Sequence, residues 1–170
     1  MIRILGIDPG SRITGYGIIE VDRNHNQHVT SGHLRIDGGN LAVRLGAIYA
    51  GISALVNDYQ PDEMAIERVF MHHNAESALK LGQARGVAIC AVGSIPVAEY
   101  SAREVKQAVV GKGAGTKEQV QHMVKVLLNL RARPQADEAD ALAVALCHGH
   151  TRETLLRIPQ ARQARGGRLR

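Results

Sequence analysis

The sequence predicts an α/β domain built around a mixed sheet of about five strands. Three β-prone segments follow one another near the N-terminus, an amphipathic helix comes next, and short apolar strands then alternate with helical segments. Hydrophobic residues make up 45% and charged residues 22% of the 170-residue chain, which is typical of a folded globular protein. A single domain is expected at this length.

The first three strands are predicted from short apolar runs that are separated by turns. Residues 2–8 end at the turn Asp8-Pro9-Gly10, and residues 15–21 and 28–36 form the second and third runs. Their short connections favour an antiparallel meander. Residues 41–59 place apolar side chains every three or four positions, which predicts a helix.

The later elements alternate between strands and helices. Residues 63–67 form a short strand, and the long crossover before it allows parallel pairing with the first strand. A helix is predicted from Asn74 to about Val92, followed by a short edge strand over residues 95–99. Three more helices are predicted to start at Ser101, Thr116 and Pro134, the last ending near Cys147.

The end of the chain differs in composition from the rest. After His150 the sequence is rich in arginine and glycine, which favours poor order. The predicted organisation is therefore one folded domain over residues 1–150 and a flexible basic tail over residues 151–170.

Composition excludes several classes of protein. Two cysteines, Cys90 and Cys147, are too few for a disulfide-stapled scaffold or a four-thiolate zinc site. The charge-free run from Gly86 to Ala98 has 13 residues, whereas a membrane-spanning helix needs ~20. The N-terminus has no long apolar region of the signal-peptide type. We therefore expect a cytoplasmic protein with no membrane partner.

Charge is distributed unevenly along the chain, whose net charge is +5. Residues 80–133 carry +6 and residues 151–170 carry +5, whereas residues 1–79 and 134–150 each carry −3. A protein that binds a polyanion with the help of metal ions needs both kinds of region. Ordinary solvated helix faces are the alternative explanation for any one of these stretches.

Four carboxylates are candidates for one site. Asp8 closes the first strand, Glu67 closes another buried strand, and Asp137 and Asp140 lie three positions apart in the first turns of the last helix. Carboxylates that converge without basic partners repel one another unless they bind cations, and oxygen ligands select magnesium or manganese. Taken singly, Asp8 could be a turn former, and Asp137 and Asp140 could be helix-start residues.

Several ordered motifs are similar to those of the bacterial RuvC family of Holliday junction resolvases, over nearly the whole chain to about His150. They are residues 7–17 (IDPGSRITGYG), residues 65–67 (AIE), Phe70, residues 77–86 (SALKLGQARG) and residues 134–143 (PQADEADALA). The resemblance implies a ribonuclease-H-like fold and a homodimer. It also implies that Asp8, Glu67, Asp137 and Asp140 are catalytic and hold two Mg²⁺ ions, for which Mn²⁺ could substitute.

The resemblance also implies a substrate and partners. The substrate would be a four-way DNA junction, nicked symmetrically in two strands to leave 5′-phosphate and 3′-hydroxyl ends. An isologous dimer suits a twofold-symmetric junction because each strand then meets one active site. The implied protein partners are the branch-migration proteins RuvA and RuvB.

Six residues are candidates for DNA binding. In the resemblance, Lys106 and Lys117 match basic residues beside the metals, and Lys80, Arg85 and Lys112 belong to the same basic region. Phe70, the only phenylalanine, could stack on an unpaired base, although a loop anchor in the core is nearly as plausible from sequence alone.

Two other functions are compatible with parts of the pattern. An Asp-x-Gly turn after the first strand also opens actin-like and sugar-kinase ATPases, but these need a second domain to close over ATP. A catalytically silent nucleic-acid-binding module is the other alternative, although it would not need four carboxylates at these positions. Magnesium-dependent nicking of a junction would separate all three.

Overall fold

The sheet has the strand order β3-β2-β1-β4-β5 in the computed structural model, which describes residues 1–22, 25–68 and 75–157. β1, β2 and β3 form the predicted antiparallel meander, and β4 pairs parallel with β1, as expected. β5 pairs parallel with β4 and occupies the edge. The strands are β1 (Ile2–Asp8), β2 (Ile13–Asp22), β3 (His25–Arg35), β4 (Glu63–Glu67) and β5 (Val97–Tyr100).

Helices cover both faces of this sheet. Side chains from α3, α4 and α5 form one core cluster with Ile4, Ile19 and Ala65, and side chains from α1 and α2 form the other with Leu5 and Ile7. The alternation along β1 follows the two-residue period of a strand. The helices are α1 (Leu41–Tyr59), α2 (Ala75–Ala91), α3 (Ala102–Val110), α4 (Lys117–Leu127) and α5 (Ala136–Arg157).

The starts of three helices have the capping groups that the sequence offers. The Asn40 side chain accepts a hydrogen bond from the Val43 N–H at the start of α1. Ser101 with Glu104 and Thr116 with Gln119 form capping boxes at α3 and α4. The predicted starts of α3 and α4 are therefore confirmed, whereas Asn74, the predicted cap of α2, lies outside the described residues.

Helix α5 is longer than predicted. It continues through residues 151–157, where the sequence predicts the start of a flexible tail, and ends at Arg157. The Thr151 hydroxyl donates to the Cys147 carbonyl at 2.8 Å, and Arg152 pairs with Glu63 of β4 at 3.1 Å. The first bond lies within α5, and the ion pair with Glu63 holds the extra turns against the sheet. Residues 158–170 lie outside the described part of the chain.

Helix α1 meets the length and composition of a membrane-spanning helix, which the 13-residue charge-free run does not predict. Mean hydropathy reaches 1.2 over an 18-residue window. Helices of soluble proteins pass the same test, and α1 packs Ile48, Ile52 and Leu55 into the core beside α2. Within the described residues it therefore forms part of the helical layer on one face of the sheet.

Candidate active site

The sheet brings Asp8 and Glu67 together at one edge. The parallel pairing of β1 and β4 ends at Ile7 opposite Ile66, so the two carboxylates follow one step beyond, at the carboxyl ends of adjacent strands. Residues two positions apart in a strand lie on the same face. Gly6 faces α5, and Ala65 belongs to the core cluster that α5 helps to form. Asp8 and Glu67, two positions later, therefore lie on the face that α5 covers. The predicted convergence of these two strand ends is present.

A track of glycines in β1 and β2 lets α5 approach the sheet closely. A Cβ atom at Gly6 would lie 2.2 Å from the Ala141 carbonyl oxygen. One at Gly15 would lie 2.1 Å from the Asp137 carbonyl oxygen. Because Gly15 pairs with Asp8 across the two strands, this packing places the first turns of α5 over Asp8.

The electrostatics show that the four predicted carboxylates act on one another. Burial, and then repulsion from Asp140, Glu67 and Asp137, raises the pKa of Asp8 to about 7. Burial and Asp140 also raise the pKa of Glu67, and burial raises that of Asp140, with Asp137 adding to the effect. The site therefore holds negative charge at a cost that a bound cation would relieve.

Two lysines act on this cluster. Lys117, the first residue of α4, lowers the pKa values of Asp8, Glu67 and Asp140 against the dominant effect of burial. Lys106, on α3, acts in the same direction on Glu67 and Asp140. The two lysines that the family resemblance places beside the metals thus lie close enough to influence the carboxylates.

The donor set fits a hard divalent cation. Its side chains are all carboxylates, which favour Mg²⁺ or Mn²⁺ over softer metals. In the described part of the chain, no three His, Cys, Asp or Glu side chains form a group that could hold a metal ion as placed. The fit to a cation is therefore one of donor chemistry.

The other predicted DNA-binding residues lie in different surroundings. Lys80 forms an ion pair with Glu76 one turn away on α2. Arg85 pairs with Glu99 of β5 at 2.6 Å, which ties α2 to the edge strand. Lys112 is exposed in the loop between α3 and α4, and Phe70 lies outside the described residues.

Glu138 makes contacts that the sequence does not predict. One of its carboxylate oxygens accepts a hydrogen bond from the Ser31 hydroxyl at 3.1 Å, and the other accepts from the Gln135 N–H at 3.0 Å. Glu138 thereby ties the first turn of α5 to β3. The capping spacing from Gln135 to Glu138 could have indicated the second bond, but the contact with Ser31, 107 positions away, has no local sequence pattern.

Comparison with known proteins identifies the family. The family model described as "Crossover junction endodeoxyribonuclease RuvC" matches residues 4–148. The chain belongs to the RuvC family. Crossover junction endodeoxyribonuclease RuvC of Hahella chejuensis is 56% identical over 172 residues, which cover 100% of both chains. The RuvC protein of Tolumonas auensis is 60% identical over 160 residues, covering 93% of this chain and 92% of its own.

Solved structures agree with this assignment. Thermus thermophilus RuvC in complex with a Holliday junction substrate matches with a TM-score of 0.85 and 30% identity, covering 91% of this chain and 96% of that one. The yeast mitochondrial Holliday junction resolvase Ydc2 matches with a TM-score of 0.64 at 12% identity, which shows a common fold. The predicted RuvC resemblance and ribonuclease-H-like fold are thus confirmed.

Proposed function

We propose that this RuvC-family chain is a divalent-metal-dependent endonuclease that resolves four-way DNA junctions by paired symmetric nicks. The main support is the position of Asp8, which is buried beside the end of β4 and close enough to three further carboxylates for burial and their repulsion to raise its pKa. Such a cluster has the donor chemistry of a metal-dependent phosphodiesterase. The related Thermus protein was solved in complex with a Holliday junction substrate, which supports the same substrate here.

In this mechanism the carboxylates of Asp8, Glu67, Asp137 and Asp140 would hold two Mg²⁺ ions, with Mn²⁺ as a substitute. The bound ions would supply activation of a water molecule and stabilisation of the leaving 3′ oxygen. Asp8 must lose its proton to act as a ligand, and its pKa of about 7 makes that step depend on pH in the absence of metal. Lys106 and Lys117 would orient the phosphates, and the products would carry 5′-phosphate and 3′-hydroxyl ends.

A homodimer is part of the proposal because a symmetric junction presents two equivalent strands. Helix α2 supports it: Gly82 and Gly86 have nothing within 4 Å of where a Cβ would stand, and Leu79 is 63% exposed. The buried face of α2 instead carries Ala84, Ala88 and Ala91, which leaves Gly82 and Gly86 open to contact with a second copy of the chain. RuvA and RuvB are proposed as partners from the family resemblance, and a cytoplasmic location is proposed from the composition.

Removal of single carboxylates tests the reaction. Asp8→Asn, Glu67→Gln and Asp140→Asn should each abolish Mg²⁺-dependent nicking of a synthetic junction, with a linear duplex as the control substrate. Junction affinity measured without divalent metal should stay near or above that of the parent, because the basic surface is unchanged. Asp137→Asn should be the mildest of the four changes.

Two outcomes would contradict the proposal. Near-parental nicking by Asp8→Asn, Glu67→Gln or Asp140→Asn would show that these carboxylates do not form the metal site. A parent protein that binds junctions but never nicks them in Mg²⁺ or Mn²⁺ would instead be the silent binding module with which the sequence is also compatible.

Phe70 is proposed to stack on an unpaired base at the junction centre. It follows Glu67 by three positions, and base stacking on an aromatic ring is worth ~1–3 kcal/mol. Phe70→Ala should therefore slow cleavage roughly ten- to a hundredfold, with little change in junction binding. A strongly lowered melting temperature together with normal cleavage at low temperature would assign Phe70 to the core instead.

A further inference from the structure

Three arginines from distant parts of the chain line one surface cleft of about 510 Å³. Arg12 lies in the turn between β1 and β2, Arg35 closes β3, and Arg44 lies in the first turn of α1. All three belong to residues 1–79, the half of the chain with a net negative charge, so the charge pattern does not reveal the cleft. Its remaining lining residues are Ile13, Ile36, Asp37, Gly38 and Gly39.

The positive charge of this cleft is not neutralised within the described part of the chain. None of the three arginines forms an ion pair within 4.0 Å there, although Asp37 lines the same cleft. The Arg35 Nε donates to the His33 ring at 3.4 Å, which satisfies one donor and adds no negative charge. Three guanidinium groups around one cleft repel one another, and the attraction of each to an anionic ligand would offset that repulsion.

Arg44 makes the strongest case for a ligand. Its backbone N–H bonds the Asn40 carbonyl at 3.2 Å, so its positive charge lies in the first turn of a 19-residue helix that has no acidic residue there. The helix dipole disfavours a cation at that end. The Arg44 Nε is also buried and has no hydrogen-bond partner among the described residues. An anion in the cleft would offer this guanidinium the partner that it lacks.

The cleft lies at the same end of the sheet as the four carboxylates. Arg12 follows Asp8 by four positions, and the Ile36 N–H donates to the Arg12 carbonyl at 2.9 Å, which fixes the end of β3 against the β1–β2 turn. Lys106 and Lys117 approach the carboxylates from helices on the α5 face, whereas α1 belongs to the opposite face. Two basic regions therefore flank the carboxylates from different sides.

We infer that the three-arginine cleft binds backbone phosphates of a junction arm, on the side of the active site away from Lys106 and Lys117. This inference rests on the proposed function, because it takes DNA as the polyanion. A polymer can occupy both basic regions at once, whereas a free phosphate or nucleotide would fill only one. Arginine suits the task because its planar fork can bind a phosphate through two hydrogen bonds.

The test measures junction binding without divalent metal, so that no cleavage occurs. The main variant is Arg35→Gln/Arg44→Gln, and Arg12 is kept because its turn adjoins Asp8. Arg131→Gln is the matched control, since Arg131 is exposed beside residues 25–28 at the far end of β3. Affinity for a four-way junction is measured over a series of salt concentrations, and thermal melting checks that each variant is folded.

The double variant should flatten the log–log salt dependence by about one to two units, because each lost phosphate contact removes about 0.9 of a unit. Arg131→Gln should leave the slope unchanged. If the double variant does not fold, Arg35→Gln alone, at an exposed position, should remove up to about one unit. Nicking by the parent in Mg²⁺ is scored separately, so failure of the nuclease proposal is distinguishable from failure of this one.

Three results would overturn the inference. An unchanged slope in the folded double variant would show that the cleft does not touch DNA. An equal loss in Arg131→Gln would show that only net charge matters. Inorganic phosphate that raises the melting temperature of the parent but not of the double variant, with unaltered DNA affinity, would assign the cleft to a free anion.

Discussion

The backbone of Asp137 rests directly on Gly15, with no room for a side chain between them. A Cβ at Gly15 would lie 2.1 Å from the Asp137 carbonyl oxygen and 3.3 Å from the Asp137 Cβ. Gly15 is also the partner of Asp8 in the pairing of β1 with β2. Together with Gly6, Gly15 therefore sets how closely α5 and its carboxylates approach the carboxylate on the sheet.

Gly15→Ala should force the start of α5 away from the sheet. The displacement would move Asp137 and Asp140 relative to Asp8, so Mg²⁺-dependent nicking should fall by at least tenfold while the overpacking costs ~1–3 kcal/mol of stability. Gly46→Ala is the control, because Gly46 lies in α1 with nothing within 4 Å of a Cβ, and a helical alanine should stabilise the protein slightly. Parental nicking by a folded Gly15→Ala protein would contradict this role of Gly15.

The raised pKa of Asp8 predicts a pH dependence of stability in the metal-free protein. Between the ordinary pKa of 3.8 and the folded value of about 7, the native state binds the Asp8 proton more tightly than the unfolded chain does. Stability should therefore fall as the pH rises through this range and stay lower above it. Asp8→Asn lacks this titration and removes both the burial of the charge and its repulsion by the other carboxylates. After a discount for solvent screening this is worth ~2 kcal/mol, so the melting temperature of Asp8→Asn should exceed the parent's by ~4–8 °C at pH 8.

Changing the pH and adding Mg²⁺ provide two controls for this comparison of the parent with Asp8→Asn. Near pH 4 the Asp8 carboxyl is protonated in the native state and the advantage of Asp8→Asn should vanish. Added Mg²⁺ at pH 8 should stabilise the parent more than Asp8→Asn, because the amide is a poorer ligand. Equal melting temperatures of the two metal-free proteins at pH 8 would show that the carboxylates do not repel one another as described.

Lys106 and Lys117 should carry part of the salt dependence of junction binding. Each is placed to act on carboxylates of the site, where the scissile phosphate would lie. Lys106→Ala and Lys117→Ala should each flatten the log–log slope by up to about one unit. Lys125→Ala, two turns farther along α4 than Lys117, should have a smaller effect, and an equal effect of all three would point to net charge alone.

The parts of the fold and site that follow local rules could be predicted from the sequence. Asp8 and Glu67 end parallel strands whose pairing follows from the long crossover between them, and Asp137 and Asp140 share a face through helical spacing. The close packing of α5 on Gly15 and the three-arginine cleft could not be predicted, because both depend on contacts between distant segments of the chain. The length of α5 also depends on such a contact, between Arg152 and Glu63.

Glu138 should be a positioning residue for the carboxylates on either side of it in α5. Its two oxygens accept hydrogen bonds from the Ser31 hydroxyl and the Gln135 N–H. One side chain therefore both fixes the first turn of α5 to β3 and caps the helix. Glu138→Ala removes both bonds and should cost ~1–2 kcal/mol, or ~2–8 °C in melting temperature. Looser placement of Asp137 and Asp140 should also raise the Mg²⁺ concentration needed for half-maximal nicking.

The Mg²⁺ concentration needed for half-maximal nicking distinguishes a positioning role of Glu138 from simple helix capping. Glu138→Gln keeps an oxygen for one bond and adds an amide from which the Ser31 hydroxyl can accept, so it should restore most of the parental magnesium response. Ser31→Ala removes only the bond to β3 and should fall between the parent and Glu138→Ala. If Glu138→Ala had a lower melting temperature than the parent but needed no more Mg²⁺ for nicking, Glu138 would stabilise α5 without positioning the metal ligands.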